Sequence, residues 1–381
     1  MTDVVLEQAP GLVGVPVGAL PLVTILVPCR NESKFISDCL LSIVGNGYPE
    51  SRLQVLVLDG MSEDGTMEIV ERMSVNHPCI TPLRNERRIT PAALNLGVAS
   101  AKGEFLVWMS AHNSYEPGYI RSCVDWALRT GADNVGGVII AAPRRDTILG
   151  RAIAIALADR FGNGGSKFRS AIEAPVWADT VFGGCYRRDV FDRVGLFNEN
   201  LVRGQDFEFN MRLRRAGLRT LLVPTIRSTY YARSTAIEFF RHNWANGVWA
   251  ILPFKYTDVV PVSFRHLVPM LFVGSVLASA ALAIFFQPFR WAALLIVALY
   301  LVAVLAASAR VAFREKSVRL FFVMAFVFSS LHFAYGLGSL WAASRSLPAL
   351  AASVSRVSAS AIRQSRAGPS SFHAKKESRT L

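Results

Sequence analysis

No CxxC pair occurs in the 381 residues, and the five cysteines (Cys29, Cys39, Cys79, Cys123, Cys185) are odd in number. That pattern excludes a disulfide frame and a cysteine zinc site, and it suits buried thiols in a reducing compartment. The first 20 residues have no basic segment and are broken by Pro10, Gly11, Gly14, Pro16 and Gly18, so they do not read as a secretory signal. Acidic residues are scarce at the other end. Residues 258–381 hold 3 Asp+Glu against 13 Lys+Arg, so they carry +10 of the formal +13, whereas residues 1–257 hold 25 against 28. Basic residues beside apolar runs are what a membrane protein needs; a nucleic-acid footprint would be a stripe on a folded face, so nucleic acid is excluded as a partner.

What the C-terminal third does have is hydrocarbon. Three uncharged runs, about 267–286, 291–309 and 320–341, each approach the ~20 residues that cross a bilayer. Arg310, Arg314, Lys316 and Arg319 crowd the loop between the last two, which puts that loop and the N-terminal domain on the cytoplasmic side. Three spans would then leave the basic tail outside, in conflict with the same rule, so the third run is either re-entrant or overruled by the earlier loop; three spans are expected. The chain divides into an extension (1–20), an α/β domain (21–255), a membrane region (256–345) and a basic, disordered tail (346–381).

Within the α/β domain, Leu22–Pro28 reads as a short buried strand, with Asn31 capping a helix over about 32–44. Gln54–Leu58 is a second strand, running into the turn formers Asp59-Gly60-Met61-Ser62-Glu63-Asp64-Gly65. A helix over Thr66–Asn76, a strand over Cys79–Leu83 and a helix opened by Thr90-Pro91 follow. Glu104–Met109 is a fourth strand, ending on Ser110-Ala111-His112. This alternation means parallel βαβ units, whose ligands sit beyond the carboxyl ends of the strands. Three polar clusters fall at such ends: Arg30-Asn31-Glu32, Asp59, and Ser110 with His112.

A fourth cluster comes late. In Gln205-Asp206-Phe207-Glu208, two acids open an amphipathic helix carried by Phe209, Leu213 and Ala216 and stopped by Gly217. Alone, it reads as an acidic helix start favoured by the helix dipole; beside three polar strand ends it reads as part of a site. Between them, Phe161–Arg169 is glycine-rich with Lys167 and Arg169, and is either a diphosphate clasp or a mobile lid. Residues 232–254 carry Phe239, Phe240, Trp244 and Trp249 among basic residues. They form either a helix in the headgroup layer or one packed on the core.

Together VTILVPCRNE, LDGMSEDGT, ALNLGVASAKGEFLVWM and the QDFE helix resemble glycosyltransferase family 2 of the GT-A fold, and more narrowly its succinoglycan-type exopolysaccharide glucosyltransferases, over about residues 20–345. The resemblance implies a Rossmann-like, mostly parallel sheet followed by membrane helices in a bacterial inner membrane, with a cytoplasmic active site. It implies an inverting transferase that takes a sugar from a nucleotide diphosphate-sugar (UDP-glucose) to a polyprenyl-diphosphate-linked saccharide. Arg30, Glu32 and Asp59 would hold the nucleoside, with Pro28 shaping the turn that lets them reach it, and Asp206 would be the general base with Glu208 in support. The strand and turn over 179–184 would receive the acceptor. The family's metal motif falls on Ser110-Ala111-His112, where His112 would ligate Mn2+ or Mg2+ and Ser110 stands where a carboxylate is usual. That departure leaves three readings: a weakened metal site, arginines such as Arg87 and Arg88 in its place, or a scaffold subunit without turnover. Arg241-His242-Asn243-Trp244 does not match the Gln-x-x-Arg-Trp motif of processive synthases, which favours adding one sugar. A sugar nucleotidyltransferase would need a glycine-rich turn after the first strand, where Pro28-Cys29-Arg30-Asn31-Glu32 stands instead.

Overall fold

The computed structural model describes residues 16–169, 172–257 and 263–366, with side chains in the last helix described to Ser346. The strands are β1 (Val23–Cys29), β2 (Leu53–Asp59), β3 (Ile80–Arg84), β4 (Phe105–Trp108), β5 (Asn113–Tyr115), β6 (Asn134–Pro143), β7 (Val176–Ala178), β8 (Gly184–Arg187) and β9 (Thr220–Ala232). The α-helices are α1 (Ile36–Val44), α2 (Thr66–Asn76), α3 (Thr90–Ser100), α4 (Tyr119–Thr130), α5 (Ile148–Ala158), α6 (Arg160–Asn163), α7 (Asp189–Val194), α8 (Gln205–Arg215), α9 (Ala236–Ile251), α10 (Val268–Leu282), α11 (Gln287–Arg314) and α12 (Val318–Arg366).

One sheet runs in the order β3-β2-β1-β4-β8-β6-β9-β5, with β7 on β9. The βαβ half is parallel as expected, β1 pairing with β2 and β4 and β2 with β3. Beyond β4 the sheet is mixed, since β8 runs antiparallel to both of its neighbours while β6 and β9 are parallel. The fold is therefore GT-A-like, a curled mixed sheet followed by apolar helices. On one face Val23, Ile25, Val27, Val55 and Val57 bury against Ile36, Leu40 and Ile43 of α1. On the other, Leu26, Leu56, Leu58 and Leu106 meet Leu94 of α3 and Phe209 and Leu213 of α8. Alternate residues of fully buried strands thus feed two cores, so the strands read as continuous apolar runs.

The helix expected from residue 32 begins at Ile36, with Phe35 at its cap. Asn31 does not cap it: it stands at φ 56°, and its Oδ1 accepts from the Glu63 amide while its own amide donates to Ser62. The asparagine stitches the β1 turn to the β2 turn, and tolerance of left-handed backbone is what that junction requires.

Three helices are long and apolar enough to cross a membrane: Phe264–Leu282, Gln287–Arg314 and Val318–Ser346. The second and third share a core with the sheet, where Ile139, Tyr230 and Ala232 join Val304, Val311, Met324 and Phe328. The segment from about 350, expected to be disordered, continues α12 to Arg366, and its alanines are strong helix formers. Residues 1–15 and 367–381 lie outside the described residues, as do 170–171 and 258–262.

Helix α9 packs on α12 through small residues. A Cβ on Gly247 would lie 2.0 Å from the Tyr335 carbonyl oxygen, and one on Gly338 would lie 2.3 Å from that of Trp244. Ser339 donates to the Gly247 carbonyl at 2.9 Å. Of the two readings for this segment, packing on a neighbouring helix is what its inner face does, while Ile237 and Phe240 remain exposed. Gly247→Val must push backbone apart, so it should lower stability by at least about 1–3 kcal/mol. A thermal unfolding midpoint unchanged in detergent would contradict this clamp.

Candidate active site

A cavity of about 490 Å³ opens at the carboxyl ends of β1, β2 and β4. Its wall includes Pro28, Arg30 and Glu32 after β1, Ser110 and His112 after β4, Arg88 before α3, and Gln205 and Asp206 at the start of α8. Six of the expected donor-side and catalytic positions therefore meet in one cleft, across more than 170 residues of sequence. Asp59 is adjacent but not in the wall. It is buried, both of its oxygens accept from the Ser62 amide and one accepts from the Ser62 hydroxyl, so Gly60 and Cys29 form the surface there.

His112 Nδ1 sits 3.1 Å from Glu32 Oε1, and the Ser110 hydroxyl lies 3.4 Å from the same ring. Among the described residues no group of three or more His, Cys, Asp or Glu side chains could hold a metal. The protein therefore brings one imidazole, one carboxylate and one hydroxyl to this corner.

Asp206 comes to the cleft because Gly204 turns the chain at φ 73° and α8 starts on the next residue. The first turn is fixed from below by an amide ladder. Asn134 donates to Asn210, and Asn210 donates to the Asp206 carbonyl at 2.9 Å and to Thr180 at 3.1 Å. Burial raises the Asp206 carboxyl above the ordinary aspartate value, while backbone donors and the nearby Arg169 oppose the shift. Arg169 is itself lowered by burial, with Tyr230 and Asp206 opposing, and its guanidinium lies 5.4 Å from the Tyr230 ring.

Two polar atoms in this wall are buried without a hydrogen-bond partner among the described residues: Arg169 Nη1, a donor, and Gln205 Oε1, an acceptor. Leaving such groups unpaired costs stability, and binding sites are where natural folds tolerate it. Around them lie Arg203, Arg233, His242 and Asn246. Arg203 donates to Asn246 Oδ1 at 3.0 Å and lies 3.4 Å from His242 Nδ1. Burial first, then Arg233 and Arg203, push the His242 pKa down to about 3, so the ring is neutral at pH 7 and accepts from Arg203.

Arg203, Arg233 and His242 were not singled out from sequence as site residues. Arg203 lies two residues before Gln205, a signal that was there to be read. Arg233 follows β9 and His242 sits on α9, and only the packing of those elements brings them to Asp206.

Two expected supporting residues do not reach the cleft. Glu208 points to the other side of α8, buried in a fork with Arg212 at 2.8 and 3.0 Å and accepting from Thr257. The reason is helical geometry: a residue two positions on from Asp206 lies about 200° around the axis. Arg87 is exposed and ion-paired with Glu199, while its neighbour Arg88 lines the cavity at φ 58°. Arg169 lies at the inner end of the glycine-rich stretch, in the wall and under cover; of the clasp and lid readings, this supports a clasp.

The family model described as glycosyl transferase family 2 matches residues 24–195. The succinoglycan biosynthesis protein ExoA of Rhizobium meliloti is 30% identical over 262 residues, covering 68% of this chain and 78% of that protein. A dolichyl N-acetyl-alpha-D-glucosaminyl phosphate 3-beta-D-2,3-diacetamido-2,3-dideoxy-beta-D-glucuronosyltransferase of Methanococcus voltae is 29% identical over 59% of this chain and 71% of its own length. Among solved structures, the mannosyltransferase PcManGT of Pyrobaculum calidifontis, in complex with GDP-Man and Mn2+, shares the fold. Its TM-score is 0.56 at 21% identity, over 88% of this chain and 92% of that one.

Glu208→Gln should lower stability by a few kcal/mol, toward the lower end of the roughly 3–5 kcal/mol for breaking a buried pair, since Arg212 keeps two carbonyl acceptors. Nucleotide affinity should stay within a few-fold of the parent's. A large loss of nucleotide binding at unchanged thermal stability would return Glu208 to the site.

Proposed function

Because the chain belongs to glycosyltransferase family 2 and is a glycosyltransferase, we propose that it moves glucose from UDP-glucose, with inversion, onto a hydroxyl of a polyprenyl-diphosphate-linked saccharide. Exopolysaccharide or other cell-surface glycan synthesis is the setting. The observation that carries this reading is the pair of buried atoms in the same wall as Asp206 that have no partner among the described residues, the Arg169 donor and the Gln205 acceptor. An anionic diphosphate satisfies the first and a sugar hydroxyl satisfies the second.

In this reading Pro28, Arg30, Glu32 and the turn held by Asp59 take the nucleoside, and Arg88, Arg169, Arg203 and Arg233 face the diphosphate. Asp206 accepts the proton of the acceptor hydroxyl as that oxygen bonds to the anomeric carbon. The bond from that carbon to the diphosphate breaks on the opposite face, and fixed guanidinium groups meet the charge that grows on the leaving oxygen. Burial serves the step twice. It raises the basicity of Asp206, and it strengthens attraction between arginines and diphosphate in a less polarisable setting.

A divalent cation accompanies the sugar nucleotide in the PcManGT complex. In this chain, His112 with Glu32 and Ser110 fit such an ion only as partial ligands, because no protein set of three is present among the described residues. The ion would supply additional positive charge to the diphosphate when bound, and diphosphate oxygens would complete its shell. Mn2+ should therefore bind weakly to the protein alone and more tightly with UDP present. Equally tight Mn2+ binding without UDP, by titration calorimetry, would contradict the shared site.

The function is tested with labelled nucleotide-sugars, membranes containing polyprenyl-diphosphate saccharides, and Asp206→Asn. Transfer from UDP-glucose should fall by roughly 10²–10⁴ in the variant, with donor affinity within a few-fold. The acid limb of the parent's kcat/KM profile should lie above the ordinary aspartate range. The sign follows from the raised carboxyl, which gains its proton, and stops acting as a base, at a higher pH than a free aspartate does. Transfer from a different donor, or Asp206→Asn turnover near the parent's, would overturn the reading.

A further inference from the structure

Three cavities run in series from the sheet into the apolar helices. The first is the 490 Å³ cleft. It shares Arg169, Arg203, Asp206, His242 and Asn246 with a second chamber of about 290 Å³. That chamber in turn shares Gly162, Asn163, Arg265, His266 and Tyr335 with a groove of about 640 Å³. Asp206 thus stands in the wall common to the first two spaces, and Arg265 in the wall common to the last two.

The chemistry changes along this line. The cleft is ringed by guanidinium groups, whereas the groove runs between α10, α11 and α12 past Pro269, Phe272, Ile296 and Leu299. Its upper rim is α6, held in place by the Phe161 carbonyl 3.0 Å from His332 Nε2 and by the Phe161–Phe328 ring contact. At the junction the charge is cationic. Arg265 makes no ion pair among the described residues; its hydrogen bond is to the Gly165 carbonyl at 3.5 Å. It stands in the first turn of the span Phe264–Leu282, the depth at which a basic side chain reaches the headgroup layer.

We propose that this groove holds the hydrocarbon tail of the acceptor, a single-chain polyprenyl lipid, with its phosphate at Arg265 and its sugar in the chamber against Asp206. The inference rests on the reading above that the acceptor is lipid-linked. Charge complementarity selects a lipid phosphate over a neutral lipid, since a guanidinium at the mouth of an apolar groove with no ion pair within 4 Å among the described residues, only the more distant charge of Asp179, has no role toward an uncharged headgroup. A single groove bounded by three helices suits one chain and not the two of a diacyl lipid. Continuity with the cleft gives the ligand its direction: tail among the helices, phosphate at the junction, acceptor hydroxyl at the base.

The test uses the full chain in phosphatidylcholine nanodiscs and a polyprenyl phosphate bearing a diazirine in its chain. Photolabelling should map to the peptides containing Pro269–Phe272 and Ile296–Tyr300. Unlabelled polyprenyl phosphate should compete, and diacylglycerol should not. Leu299→Trp, which fills the groove, should reduce labelling about tenfold with the thermal midpoint retained. Should that variant misfold, Arg265→Gln gives a second reading. It should lose labelling by the polyprenyl phosphate several-fold while labelling by the matching polyprenol is kept. Adducts outside these helices, equal competition by diacylglycerol, or equal loss for phosphate and alcohol would each overturn the proposal. UDP-glucose turnover by the unsubstituted protein separates the two readings. Turnover with labelling elsewhere sinks the groove alone, and labelling in the groove without turnover of any nucleotide-sugar sinks the transferase reading alone.

Discussion

The placing of Asp206 and Arg169 in one wall, both largely withdrawn from solvent, is the constraint on which the rest of the arrangement depends. Each is pushed by desolvation toward its neutral form; backbone donors and then Arg169 hold Asp206 back, while Tyr230 and then Asp206 hold Arg169 back. A carboxylate and a guanidinium so placed would be most stable as a saturated pair with every donor and acceptor used. Here saturation is withheld: among the described residues Arg169 Nη1 has no hydrogen-bond partner, and neither has the Gln205 amide oxygen in the same wall. What makes the expense tolerable is rigid support from elsewhere. The Asn134–Asn210–Thr180 ladder fixes the turn that carries Asp206 without touching the cleft, and Phe209 and Leu213 hold α8 in the core below it.

That support explains why so much of the parallel half was legible in the sequence. Strands β1, β2 and β4 are buried on both faces, so their apolar runs are uninterrupted and end abruptly in polar turns. The turn over 59–65 and the Thr90-Pro91 helix start carry their own local chemistry. Helix α2 spans Thr66–Asn76, as that chemistry indicates. For the sheet, legibility fails beyond β4, although α8 and the three apolar helices remain readable. The strand direction reverses at β8 through Gly183 and Gly184, at φ 65° and 117°, and β6 and β9 slip register at Gly137. A Cβ on Gly137 would lie 2.0 Å from the Ile226 carbonyl oxygen, so the bulge is written as one glycine among others in GADNVGG. Nothing local says which partner strand approaches it.

The site divides along the same line. Residues at strand ends, such as Pro28, Glu32 and His112, could be anticipated because topology dictates where ligands sit. Residues delivered by packing between distant elements could not. Arg233 and His242 enter the cleft only because β9 ends beside β6 and α9 is pressed onto α12 through Gly247 and Gly338. Glu208 was misread for the opposite reason: an acid in the first turn resembles chemistry until its angular position, facing Arg212, is known.

The serine at position 110 bears on how charge is managed. A site built on two carboxylates and a resident cation neutralises a diphosphate with the metal and holds the metal with acid. This cleft instead presents Arg30, Arg88, Arg169, Arg203 and Arg233 against Glu32 and Asp206. Burial and the surrounding arginines keep His242 neutral, so it adds no repulsion and serves as an acceptor for Arg203. With a surplus of fixed positive charge in the wall, a third acid at position 110 would lower the potential that a donor diphosphate would meet. A serine at that position offers a cation less than a carboxylate would and leaves the arginine field stronger by the same choice. In the proposed reading the two effects compensate where the diphosphate of the donor would be held, because the fixed guanidinium groups are in place with or without a cation.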